Sequence, residues 1–182
     1  MTVLEKSLLV ALLTVWSEAL FIALQSVTKF EIEGVALAYR LPRYRVSLIR
    51  EGSCTTECKT IRTPEDVFSI IAPEYDNAAV ETVHMLALDT KNKIIGVFVL
   101  STGSLNASII HPRDVFQRAI LSNAASVILV HNHPSGDPTP SSEDIALTRS
   151  LVEAGKLMDV AMLDHVIVGD GIFASLKEKG FC

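Results

Sequence analysis

Residues 127–144 read VILVHNHPSGDPTPSSED. The four apolar residues 127–130 form a short, wholly apolar run, the pattern of a central strand covered on both faces. His131 stands at the carboxyl end of that strand. A polar loop over 132–140 follows, and a helix is predicted over 142–154. His131 and His133 are two apart, so in an extended backbone both imidazoles lie on one side. Asp144 falls in the first turn of the helix and can return a carboxylate to the same point. Two neutral nitrogens and one carboxylate make a three-ligand zinc site with its fourth position open. Each residue also has a plainer reading. Ser141-x-x-Asp144 is a capping box, first-turn acids suit the helix dipole, and a histidine pair in a loop is often only polar surface. The combination is more specific than its parts, because a buried strand and a helix start bring H-x-H-x7-S-x2-D together. Hydrolysis at such a site further requires a base for the water proton and a donor for the oxyanion.

Outward from this stretch the chain reads as one mixed α/β domain. Thr63 caps a helix to about residue 71, with Pro64 in its first turn and Glu65 and Asp66 at its positive end. Apolar runs at 81–89, 94–101 and 105–110 are joined by short polar turns, which predicts antiparallel hairpins. A helix follows over 112–123, with Val115, Ala119 and Ile120 on one face. Beyond the central stretch, 160–168 is a strand interrupted by Asp164-His165, and 172–176 closes the sheet. The order β-β-β-α-β-α-β-β implies a mixed sheet with helices against its faces. His84 and His111 belong to no motif and are read as structural.

The 182 residues suffice for a core without disulfide staples. An apolar share of 49% with 20% charged residues excludes wholesale disorder. A net charge of -5 weighs against a dedicated nucleic-acid binder. Three cysteines, Cys54, Cys58 and Cys182, make no disulfide framework and fit a reducing, cytoplasmic setting. Cys54 and Cys58, as C-x3-C without a second pair, are a weak zinc signal and read as ordinary thiols. Residues 39–50 alternate late in the run and predict an edge strand. Its Arg40, Arg43, Arg45 and Arg50 form a solvated face, with phosphate contact as the alternative.

Residues 1–34 are a separate appendage before the domain of residues 39–182. Within it, 8–24 is hydrophobic, with Glu18 as its only charge. At 17 residues it sits at the lower edge of a membrane span, and an acid near its middle is costly there. The preferred reading is a helix packed on the domain or on a second subunit as a homodimer. The alternative is membrane association.

The central motif resembles the JAMM (JAB/MPN) metallopeptidase signature, and HNHPSGDPTPSSED is similar to its RadC-like branch. Gly103 with Leu105, His111-Pro112-Arg113, Asn123-Ala124-Ala125 and Asp164-His165-Val166-Ile167-Val168 extend the resemblance, which covers residue 39 to the end. It implies a deaminase-like α/β sandwich. It also implies Zn2+ on His131, His133 and Asp144, Ser141 supporting an oxyanion, and Glu81 as general base or acid. The implied substrate is a peptide or isopeptide bond in a peptide or protein. His165 and Asp164 are expected to orient a neighbour of the metal rather than bind it. Many RadC-like proteins carry a helix-hairpin-helix region before this domain. Residues 8–24 stand in that place here, so a nucleic-acid partner, as an accessory repair protein with a structural metal site, is the weaker alternative.

Overall fold

The computed structural model describes residues 41–53, 56, 58–76, 78–103 and 110–182. The chain divides into two compact units, Met1–Tyr44 and Arg45–Cys182. The hydrophobic run 8–24, the appendage 1–34, Cys54 and the strand expected over 105–110 therefore lie outside the described residues, save Ile110. No described helix is long and apolar enough to cross a membrane.

Helix α1 is Pro64–Ile71, followed by a 3-10 turn Ala72–Tyr75. Strands β1, Thr82–Leu88, and β2, Ile94–Thr102, form an antiparallel hairpin. Then come α2, Pro112–Leu121; β3, Ser126–Asn132; α3, Ser142–Met158; β4, Ala161–Val168; and β5, Phe173–Ser175. The sheet order is β2-β1-β3-β4-β5. Among the described strands only β3 and β4 pair in parallel, and α3 supplies the crossover that a parallel pair needs. The fold is the mixed sheet with flanking helices that the element order implied.

Alternation along the central strands sorts the core into two layers. Val83, Met85 and Ala87 of β1 and Val127 and Leu129 of β3 meet Val115, Phe116 and Ala119 of α2 and Leu151 of α3. On the other face Leu86, Leu88, Ile128, Val130, Val166 and Val168 meet Val67, Ile70 and Ile71 of α1. Every residue of β3 is buried, as expected of a strand covered on both sides.

Several boundaries differ from the sequence reading. Residues 41–50 form no strand and are all exposed. Leu48 and Ile49 are adjacent and both open to water, at 51% and 84%. The run therefore has no single apolar face to lay against a sheet, and its arginines gain by staying solvated. Strand β3 runs one residue earlier and two later than the apolar stretch, because His131 and Asn132 find polar partners inside the sheet. Helix α3 passes through Gly155 to Met158 and ends at Asp159 in the left-handed region. A Cβ on Gly155 would lie 2.5 Å from the Val160 carbonyl, so this glycine serves close packing rather than termination. On α2, Phe116 takes the buried position expected for Ile120, which is 50% exposed.

Strand β4 is continuous but bulged. Met162 pairs with Val127 and Asp164 with Ile128, so Leu163 is an extra residue in the ladder. One inserted residue reverses the facing of all that follow. The bulge therefore turns His165 onto the α3 face and Asp164 away from it.

Candidate metal centre

The centre forms where β3 ends beside the start of α3. His131 is the penultimate residue of β3 and is 2% exposed. His133 lies past the strand's end, yet its N–H donates to the Val168 carbonyl at 2.8 Å, which prolongs the ladder with β4. Extended backbone thus persists across both histidines and keeps their rings on one side. Their Nε2 atoms are 3.0 Å apart.

Asp144 arrives from the first turn of α3. Ser141 caps that helix: its Oγ accepts from the Asp144 N–H at 3.1 Å, and its own N–H and O–H donate to Asp144 Oδ2 at 2.8 and 2.6 Å. The capping box is thus realised, and it aims the Asp144 carboxylate at the two histidines. Asp144 Oδ1 lies 3.3 Å from His131 Nε2 and Oδ2 lies 3.6 Å from His133 Nε2. One ligand atom from each of His131, His133 and Asp144 falls within 4.8 Å of the others, a grouping that can hold a metal ion. Among the described residues no other such cluster occurs.

Electrostatics favour a cation here. His133 Nδ1 is 2.8 Å from the Asp137 carbonyl, which can only accept, so Nδ1 carries the proton and Nε2 presents its lone pair. Two imidazole nitrogens and a carboxylate crowded together repel one another unless positive charge sits among them. Burial pushes the His131 imidazole down to about 4, against the pull of Asp144. The Asp144 hydrogen bond raises His133. Burial alone would raise Asp144, but the hydrogen bonds of His133 and Ser141 and the charge of His131 hold it well below its ordinary range. A largely buried nitrogen–oxygen donor set suits a borderline ion such as zinc, and His131, His133 and Asp144 fit that role.

Glu81 directly precedes β1. Val83 pairs with His131, so the antiparallel register continues Glu81 toward His133. The backbone there is pinned on both sides. The Asn132 side chain accepts from the Thr82 N–H at 2.8 Å and donates to the Val80 carbonyl at 3.2 Å, and Gly103 N–H donates to the Glu81 carbonyl at 2.9 Å. Partial burial, then the neighbouring Asp144 carboxylate, raises the Glu81 carboxyl above its ordinary range, while His133 lowers it.

His165 is fully buried, with Nε2 2.8 Å from His131 Nδ1 and Nδ1 2.6 Å from Thr148 Oγ1. Asp164 is not brought to the cluster. Its carboxylate accepts from the Ser175 hydroxyl and the Lys177 and His165 amides, because the bulge directs it toward β5 and the C-terminal turn. His84 bonds the Tyr75 hydroxyl at 2.9 Å, remote from the cluster's hydrogen bonds. Two residues escaped the sequence reading. Thr148 carried a signal, since it stands one helical turn after Asp144 and so shares its face. Asn132, a residue between two histidines, carried none until the register was known.

A model of the RadC-like JAB domain matches residues 61–181. A UPF0758 protein of Methanococcoides burtonii is 54% identical over 123 residues, which cover 68% of this chain and 54% of that protein. Similar UPF0758 proteins occur in Caldanaerobacter subterraneus, 48% identical over 81% of this chain and 64% of the relative, and in Listeria monocytogenes, 45% identical over 81% and 66%. The chain thus spans between 54% and 66% of the length of these curated relatives. With two thirds of its length matched and the His-x-His and Asp144 cluster inside the matched region, the chain belongs to the RadC-like JAB domain family.

Proposed function

We propose that this chain is a zinc-dependent hydrolase of the JAMM type that cleaves a peptide or isopeptide bond. The observation that carries the reading is the convergence of His131 Nε2, His133 Nε2 and Asp144 at the open end of β3, with Glu81 beside them. His131, His133 and Asp144 would hold the zinc, which when bound lowers the pKa of a water and polarises a carbonyl. Glu81 would take the water proton on its carboxylate and pass it to the leaving nitrogen. Partial burial, which raises its pKa, favours its holding that proton on the way. Ser141 would hold Asp144 in place and, once its O–H turns from Oδ2, donate to the oxyanion. A cleft of about 530 Å³ shares His133 with this centre and has Phe68, Tyr75 and Val168 on its walls, room for part of an extended chain.

The test is metal analysis together with a peptide and isopeptide cleavage screen of wild type and Glu81→Gln. The variant should retain zinc and lose turnover by at least about 100-fold, the scale of a general base. Equal turnover in both proteins would remove Glu81 from the reaction. Exposure of Arg43, Arg45 and Arg50 favours a second reading, an accessory protein on nucleic acid. Salt-dependent DNA binding at physiological ionic strength, without any cleavage of peptides, would promote it.

A further inference from the structure

We propose that Thr148 and His165 form a one-way hydrogen-bond relay that fixes His131 as the tautomer whose Nε2 lone pair faces the cluster. Thr148 and His165 are then positioning residues for a bound cation, an inference that rests on the metal reading above. The direction of the relay follows from what each atom can do. Thr148 Oγ1 lies 2.7 Å from the Asp144 carbonyl, which has no proton to give. The single hydroxyl proton of Thr148 must therefore lie between these two atoms, since otherwise two acceptors would face each other at that distance. Toward His165 the threonine oxygen can then only accept, so His165 Nδ1, 2.6 Å away, carries a proton.

His165 is fully buried and its ring makes no hydrogen bond to a carboxylate, so it holds one proton and its Nε2 is bare. That bare nitrogen accepts from His131 Nδ1 at 2.8 Å. The His131 proton is thereby committed to the protein interior, and its Nε2 is left as a lone pair toward Asp144 and His133. Asp144 and Thr148 are four residues apart on α3. One turn of one helix thus supplies one ligand directly and orients a second through two hydrogen bonds. The bulge at Leu163 is what makes the relay reachable, because it turns His165 toward Thr148.

Imidazole 15N shifts of the metal-free protein at neutral pH read the tautomers directly, and zinc competition against a chromophoric chelator reads affinity. Wild type should show His131 and His165 both protonated at Nδ1. Thr148→Val should mix the tautomers of both rings and weaken zinc by about 10- to 100-fold, the usual effect of losing an outer partner of a metal-bound histidine. Thr148→Ser should restore both readouts, which a purely structural role for the methyl group would not allow. A wild-type His131 protonated at Nε2 overturns the relay even if the valine variant cannot be folded. So does a folded Thr148→Val protein with unaltered shifts. Wild-type tautomers as stated, without zinc uptake, would uphold the relay and defeat the zinc reading alone.

Discussion

His131 and His165 are imidazoles held neutral by burial, and this has a cost in acid. The His131 value falls from 6.5 to about 4, and His165 is driven in the same direction. Between those pH values the unfolded chain binds more protons than the folded one, so stability falls as pH drops through that window. His133 and Glu81, both raised, have the opposite sign, but they stand against three lowered imidazoles, since burial lowers His84 as well. Asp144 keeps its contribution until well below that window. The metal-free protein should therefore show a lower urea midpoint at pH 5 than at pH 7. A midpoint unchanged across that interval would contradict the burial of neutral histidines.

Elements are held in register at the site by one close backbone approach. Gly169, just past β4, would place a Cβ 2.2 Å from the Gly136 carbonyl and 2.8 Å from Pro138 Cδ. Asp170 N–H donates to that same carbonyl at 2.9 Å, which ties the loop after β3 to the loop after β4. Gly169→Ala must push the two loops apart, at a cost of about 1–3 kcal/mol typical of overpacking. The displaced loop includes Asp137, whose carbonyl orients His133, so zinc affinity should fall together with stability. Denaturant unfolding and zinc titration of one sample test the coupling; a loss of stability with intact affinity would separate the loop from the site. Ser141→Ala should cost about 1 kcal/mol in denaturant unfolding as a lost helix cap, and it should take the hydroxyl donor from Asp144 Oδ2 while the backbone N–H of residue 141 stays bonded.

At the scale of the whole molecule the centre lies between parts of the chain far apart in sequence. Glu81 precedes β1, His131 and His133 close β3, Asp144 opens α3, and His165 sits on β4. A cation held by three of them links β3 to α3 in the folded state only. Zinc at a hundred times its Kd should therefore stabilise the protein by about 2.7 kcal/mol, seen as a raised thermal midpoint that a chelator reverses. His133→Ala should abolish that increment and keep the fold, since His133 is half-buried at the sheet's end. A variant that still gains the full increment would place the ion elsewhere.

The sequence by itself determined the local features: the apolar run of β3, the caps of α1 and α3, the β1–β2 hairpin, and the spacing that sets His131, His133 and Asp144 at one strand end and helix start. These follow from nearest neighbours and from the two- and four-residue periods of strand and helix. Tertiary structure alone decided which face each residue takes and what it meets there. Alternation before Leu163 gives no hint of a bulge, so the facing of His165, and the diversion of Asp164 to β5, depend on pairing with a strand some 35 residues away. The helix predicted to end at 154 runs on to Met158, with Gly155 packed close against Val160 and Phe116. Residues 39–50 carried a strand-like alternation, but alternation makes a strand only when a sheet edge accepts its apolar face, and here residues 41–50 stay in water. Long-range pairing is cooperative and is written in no single segment, which is why the cluster of His131, His133 and Asp144 was legible in the chain and the contact of Thr148 with His165 was not.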